Sequence, residues 1–475
     1  MADIATEKYK QAAGRAVRDR VLQGALADVQ GRLGKGTAAA YRALPEGPDL
    51  RLRAHDIRME AIEHLDILLE MLADRIRGKG GKVFFARDAA EAVDYCLAVA
   101  ERHGVRLAVK GKSMVTEEIG LNQALADAGV EVAETDLGEY IIQLAGEHPS
   151  HIIAPAIHKT RDQVGRLFAD KLGIAYTNDP PTQTQAARKA LREKFLTADM
   201  GISGCNIACA ETGHITTLSN EGNIRMSATL PRVHVAFMGM ERIVGRLEDH
   251  DVLFRLLARG AAAQNMATYV SYIGGPRRSG QADGPDEFHV VILDNGRSRI
   301  LADPRFREML CCIRCAACLN VCPVYGKIGG HAYGYPYSGP VGAVVTPLLV
   351  GVNRAKDLCL GETLCGACQN ACPVNIDLPR MLLELRAMLA DGDAVWGVAP
   401  ASRAEKAAFG FWRQLAGRRW LWERALKLGG LAQAILPKKD GMLTRLPPPF
   451  SGWTQSRDLP PAAPETFMQW WRNNP

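Results

Sequence analysis

The chain has 475 residues, of which 47% are apolar and 23% charged, ordinary globular usage that excludes disordered and collagen-like proteins and leaves room for several domains. Its formal net charge of +6 is too small an excess on this length to indicate nucleic-acid binding. Twelve cysteines are the departure from the ordinary.

Residues 1–77 read as a helical region, with apolar residues at helical spacing over 13–29 and 57–76 and a Gly-Lys-Gly-Gly breaker after it. From Lys82 the period changes to short apolar runs alternating with helical patterns. A strand is expected at 83–86, a helix at 88–103, a strand at 105–109 and a helix ending at Asp127. Further strands are expected at 140–144, 215–218, 233–238, 268–273 and 288–293. This alternation predicts a mostly parallel α/β domain over 78–300, with the Pro/Gly-rich stretch at 274–285 as a loop within it. A Cys-rich domain follows over 301–390, then a Trp- and Pro-rich segment over 391–475. All seven Trp lie in that last segment, where from Trp396 onward 12 Lys and Arg face five Asp and Glu. It reads as a solvated, partly extended tail whose membrane contact is at most peripheral.

Nine of the cysteines fall between residues 311 and 372. A secreted disulfide framework would be short and led by a basic and then apolar segment, whereas this chain begins Met-Ala-Asp-Ile-Ala-Thr-Glu. A reducing, cytoplasmic setting is therefore expected. The most apolar stretch, 342–352, is too short to span a bilayer and contains Pro347.

The first cysteine run, Cys312-Ile-Arg-Cys315-Ala-Ala-Cys318-Leu-Asn-Val-Cys322-Pro323, has the C-x2-C-x2-C-x3-C-P spacing of a bacterial ferredoxin 4Fe–4S site. Two-residue gaps wrap three thiolates round one face of a cubane, and the fourth turns away toward a second cluster. Structural zinc prefers two separated C-x2-C pairs. The second run, Cys365-Gly-Ala-Cys368-Gln-Asn-Ala-Cys372-Pro373, repeats the motif with Glu362 where its first cysteine would stand. Crossed ligation assigns Cys312, Cys315, Cys318 and Cys372 to one cluster, and Cys322, Cys365 and Cys368 to the other. The fourth ligand of the second cluster is open among Cys359, Cys311, Glu362 and none. Two such centres pass single electrons.

The α/β region offers no G-x-G-x-x-G fingerprint, and Lys110-Gly-Lys-Ser113 lacks the upstream glycine of a P-loop, although it could present amides to an anion. The turn Asn220-Glu-Gly-Asn223 makes Glu221 and Arg225 the candidates for a catalytic carboxylate and a carboxylate clamp. His148, His151 and His158 are spaced for one helix face, but Pro149 and Pro155 argue for broken structure there. His331, between the cysteine runs, is placed to tune a cluster by hydrogen bonding.

These segments together resemble the lactate utilisation protein B family. The resemblance is carried by Lys110-Gly-Lys-Ser-Met-Val-Thr-Glu-Glu-Ile-Gly-Leu-Asn122, by Glu134-Thr-Asp-Leu-Gly-Glu-Tyr-Ile-Ile-Gln-Leu144 and by Ala210-Glu-Thr-Gly through Asn223. Both cysteine runs and Ile328-Gly-Gly-His-Ala-Tyr-Gly334 extend it along nearly the whole chain. It implies a sugar-isomerase and CoA-transferase-like α/β fold followed by an α-helical, two-cluster ferredoxin-like domain. It also implies an iron–sulfur electron-transfer subunit of a complex oxidising L-lactate to pyruvate, with a Cys-rich subunit and a second subunit of the α/β type as partners. The hydride acceptor would then lie elsewhere in the complex, since single-electron clusters cannot accept a hydride; the terminal electron acceptor is not implied. Two other readings are a self-sufficient iron–sulfur oxidoreductase for another organic acid, and a CoA-transferase-like or ligand-binding protein with structural clusters.

Overall fold

The computed structural model describes residues 5–448, 450–454 and 457–474. Residues 1–399 make one compact unit and 400–475 a second.

The α/β sheet takes its centre from the most apolar strands. With β1 as Lys82–Ala86, β2 as Leu107–Lys110, β3 as Glu131–Glu134 and β4 as Met200–Gly204, the chain goes on to β5 (Ile207–Cys209), β6 (His214–Ser219), β7 (Val233–Gly239), β8 (Ile243–Val244), β9 (Tyr269–Ile273) and β10 (Glu287–Leu293). Six of these form a sheet in the order β1-β10-β7-β4-β2-β3, every neighbour parallel. All seven residues of β7 are buried, as expected of a parallel strand covered on both faces. A smaller sheet, β8-β5-β6-β9, packs beside it and is mostly antiparallel.

One expected strand is a helix. Residues 140–144 lie within Leu137–Ala145, where the Asp136 side chain accepts the Glu139 N–H and Gly146 closes the helix in the left-handed conformation. Both end signals outweigh the β-branched run between them. The edge strand β3, Glu-Val-Ala-Glu, carries too little apolar patterning to be legible in the sequence.

From β2 the chain moves to β3 on one side, and from β4 to β7 and β10 on the other. The C-terminal ends of β2 and β4 therefore border a crevice, the place where open α/β sheets bind ligands.

The N-terminal helices are a scaffold for the Cys-rich segment. Gln23 donates to the Lys327 carbonyl at 2.6 Å, and Gln30 to those of Leu319 and Cys322 at 3.1 and 2.8 Å. From helix Gly47–Glu63, Arg51 donates to the carbonyls of Cys372 and Asn370, while the buried Arg58 reaches those of Leu310, Cys311, Glu241 and Ile243.

The second unit contains helices Arg403–Ala416 and Arg419–Ala432, neither with a buried residue, whose Trp412 and Trp422 meet edge to face. The expected extended tail is thus largely helical here, because Ala-, Leu- and Arg-rich runs favour helix and Ser402 caps the first. Among the described residues no helix is long and apolar enough to cross a membrane.

Candidate metal centre

The two cysteine runs repeat one backbone course. Arg314 and Ala316 flank Cys315 at φ of 59° and 62°, and Leu364 and Gly366 flank Cys365 at 56° and 78°. Left-handed residues on both sides of a cysteine coil the loop tightly enough for thiols three apart to face one centre. Cys322 and Cys372, at the far ends of the runs, share φ near −70° and ψ near 120°. Glu362 is extended, at φ −87° and ψ 150°, as is Cys312 at −61° and 122°. The glutamate thus occupies in the second run the place that a cysteine occupies in the first.

Cys312, Cys315, Cys318 and Cys372 together line one cavity, with Ile313, Ile376 and Val341 among its walls. Burial pushes the Cys318 thiol well up, and its neighbours Cys315, Cys312, Cys372 and Cys368 push it further; burial likewise raises Cys372 to about 12. Three buried thiols, those of Cys315, Cys318 and Cys372, that resist becoming thiolates beside one another fit a site whose charge is balanced by iron, since metal coordination deprotonates them outright. The sulfurs also receive N–H bonds, Arg314 to Cys312, Tyr325 to Cys322 and Ile376 to Cys372, each at 3.4 Å.

At the other end, the Cys322 thiol lies 3.3 Å from Glu362 Oε2, and the Tyr333 hydroxyl donates to Glu362 Oε1 at 2.9 Å. Arg386 fixes the Glu362 carbonyl at 2.7 Å. Burial raises the carboxyl above its ordinary range despite those bonds. The alternative sulfurs are turned elsewhere: Cys359 toward its own helix at the Ala355 carbonyl, Cys311 against Met59 Sδ at 3.3 Å. Cys365 is exposed and Cys368 buried.

A second, larger cavity of about 240 Å³ opens at the C-terminal ends of the parallel strands. Its walls include Lys112 and Ser113 after β2, Asp136 after β3, Gly204 to Asn206 at the end of β4, and Glu241 and Arg242 after β7. Glu221 lies on this wall too, its carboxylate accepting from Ser219 Oγ and the Asn220 N–H, both at 3.1 Å. Arg225 does not: it sits on the exposed side of helix Asn223–Thr229, away from the cavity walls. The cations at the cavity are Lys112, Arg242 and Arg314, and Arg314 lines both cavities. The sequence reading missed Arg242 and Arg314; the only sequence signal was an arginine within a Cys-x2-Cys loop.

The histidines have structural roles. His151 is buried, bonded to Asn320 Oδ1 at 3.2 Å, and held neutral by burial and by Lys112, down to about 3. His158 bridges Ser150 and Glu147. His331, expected to tune a cluster, bonds instead to the His148 carbonyl at 2.7 Å. Glu117, Glu134 and Glu139 gather closely enough to hold an ion, but the buried Lys110 ammonium is there already, 2.8 Å from Glu134 and 3.2 Å from Glu117.

The comparisons with known proteins agree with this architecture. Family models match for an LUD domain over residues 69–293, a 4Fe-4S dicluster domain over 308–376 and the C-terminal region of lactate utilisation protein B over 397–474. The dicluster domain means two 4Fe–4S clusters, as the two cysteine runs require. Lactate utilization protein B of Bacillus licheniformis is 43% identical over 99% of this chain and 97% of its own length. The protein of the same name from Macrococcus caseolyticus is 42% identical over 99% and 98%. A third relative, named an uncharacterized electron transport protein (YkgF) in Escherichia coli K12, is 42% identical over 96% of this chain and 95% of its own. The chain belongs to the lactate utilisation protein B family.

Proposed function

We propose that this chain is the cytoplasmic electron-transfer subunit of a multi-subunit complex that oxidises L-lactate to pyruvate. The observation that carries the reading is Cys372, a residue of the second run, on the wall of the cavity lined by Cys312, Cys315 and Cys318. Such interleaving brings two centres close together, which electron transfer needs and a structural metal does not. Cys322, Cys365 and Cys368 are the thiolates of the second cluster, with Glu362 in the fourth position. When bound, the clusters supply single-electron transfer.

The protein's own contribution is to hold and insulate. Arg51, Arg58 and Gln30 pin the loop carbonyls, and the apolar walls exclude water. Because two electrons leave a 2-hydroxy acid together, the acceptor of the hydride belongs to a partner, either the Cys-rich subunit or the second LUD-type subunit. The names of the relatives, which speak of lactate utilisation and electron transport, support the same reading. The test is EPR of the purified chain with and without its partners. Two 4Fe–4S signals reducible by lactate only in the assembly are expected; reduction by lactate of this chain alone overturns the division of labour.

A further inference from the structure

The cavity at the strand ends has an excess of unused donors. Its acids are already engaged: Glu241 accepts Arg297 Nε at 2.8 Å, Glu221 is held by its own turn, and Asp136 caps helix Leu137–Ala145. Its cations keep donors to spare. Arg314 Nη1 is buried with no hydrogen-bond partner among the described residues. The nearest carboxylate, Glu241 Oε1, stands 3.8 Å from the other end of that guanidinium, which lies over the Tyr337 ring. Lys112 spends one donor on the Ile153 carbonyl at 2.6 Å. Arg242 braces the carbonyls of Cys312 and Ile313 at 2.7 and 3.2 Å and so presents its positive charge between cavity and loop. The opposite wall is apolar, with Ile152, Ile224, Leu257 and Ala258.

A buried guanidinium nitrogen that nothing accepts from is costly. Arg314 also keeps a left-handed backbone, φ 59°, where glycine would be unstrained. Its side chain is retained at that cost and directed into a cavity of about 240 Å³, below the usual size of drug-like or dinucleotide sites. We infer that this cavity binds a small organic carboxylate, of the 2-hydroxy or 2-oxo acid class, with its carboxylate on Arg314 and Lys112 and its carbon end on the apolar wall. The inference rests on the proposed function and deepens it. The acid sits against the very loop that carries Cys312 and Cys315, so this subunit helps to hold the substrate or product although the hydride acceptor lies in a partner.

The test is calorimetric titration of the holoprotein, both clusters loaded, with oxamate and with L-lactate, together with EPR of the reduced protein with and without oxamate. Expected are saturable binding, a change in the EPR signal of the cluster held by Cys312, Cys315, Cys318 and Cys372, and at least about tenfold weaker binding in Arg314→Gln. Lys112→Met is the second variant, with the same expected direction. Absence of binding to a holoprotein whose two clusters are spectroscopically intact overturns the site, as does unchanged affinity in both variants with clusters retained. Those results leave partner-dependent cluster reduction untouched, and loss of that reduction with binding intact would overturn the electron-transfer reading instead.

Discussion

Replacing Arg297 by methionine tests whether the α/β sheet and the Cys-rich segment are held together by charge. Arg297 is fully buried and donates to both oxygens of Glu118 at 2.9 and 2.8 Å, to Glu241 at 2.8 Å and to the Asp294 carbonyl at 3.0 Å. Glu118 comes from the α/β helix Met114–Ile119, and it also accepts from Tyr337 of the Cys-rich segment at 2.6 Å. Removing the guanidinium leaves two buried carboxylates short of their main partner, a perturbation of about 3–5 kcal/mol. The lower part of that range is expected because Tyr337 and Asn295 still serve Glu118. Burial would raise both carboxyls, but Arg297, joined at Glu241 by Arg314 and Arg242, outweighs it and holds them below the ordinary range. In the wild type their contribution is therefore present above the unfolded carboxyl range and lost only as the pH falls through their depressed folded values. In Arg297→Met the sign reverses at Glu118, whose only charged partner among the described residues is Arg297: burial without the cation raises it, and protonation relieves the variant as pH falls. Urea unfolding of the holoprotein at pH 8 and pH 5 should show the gap between the two proteins narrowing at the lower pH. A loss below about 1 kcal/mol, or a gap independent of pH, refutes the reasoning.

Three further outcomes follow from the metal centre. Cys372→Ser should remove the EPR signal of the first cluster, whereas Cys365→Ser should spare it; the reverse pattern contradicts the interleaved arrangement. Iron analysis of Glu362→Ala should fall short of the roughly eight iron atoms of two 4Fe–4S clusters, while Cys311→Ser and Cys359→Ser retain them. A Cβ at Gly260 would stand 3.2 Å from Cys315 Sγ and 2.8 Å from Tyr41 Oη, so Gly260→Val should cost about 1–3 kcal/mol by overpacking and weaken the first cluster's signal before the second's.

The cysteine spacing was legible because the ligand geometry of a cubane is written in contiguous residues. The parallel sheet was legible for the same reason, in β7 and β10, whose burial on both faces produces largely apolar runs interrupted by a single histidine each, His234 and His289. What was illegible depends on side chains that meet only in the fold. The helix at Leu137–Ala145 reads as a strand until its two caps are weighed. The N-terminal helices read as a separate region, yet Gln30, Arg51 and Arg58 are joined to the cluster loops by bonds spanning more than 250 residues.

The arginines make the same point about function. Arg225 drew attention because it follows a polar turn, and it lies on the outside of its helix. Arg242 and Arg314 belong to different segments, and nothing local marks either as a ligand-binding group. They converge because β7 ends at the sheet edge beside the crevice and because the first cysteine loop is laid across that edge, bonded to Arg242 through two of its carbonyls. The ferredoxin-like insert therefore does more than carry iron: it completes the wall of the α/β cavity. A truncated α/β domain lacking residues beyond 300 would lose Arg314 and Tyr337 from that wall, and with them the reason for a carboxylate to bind.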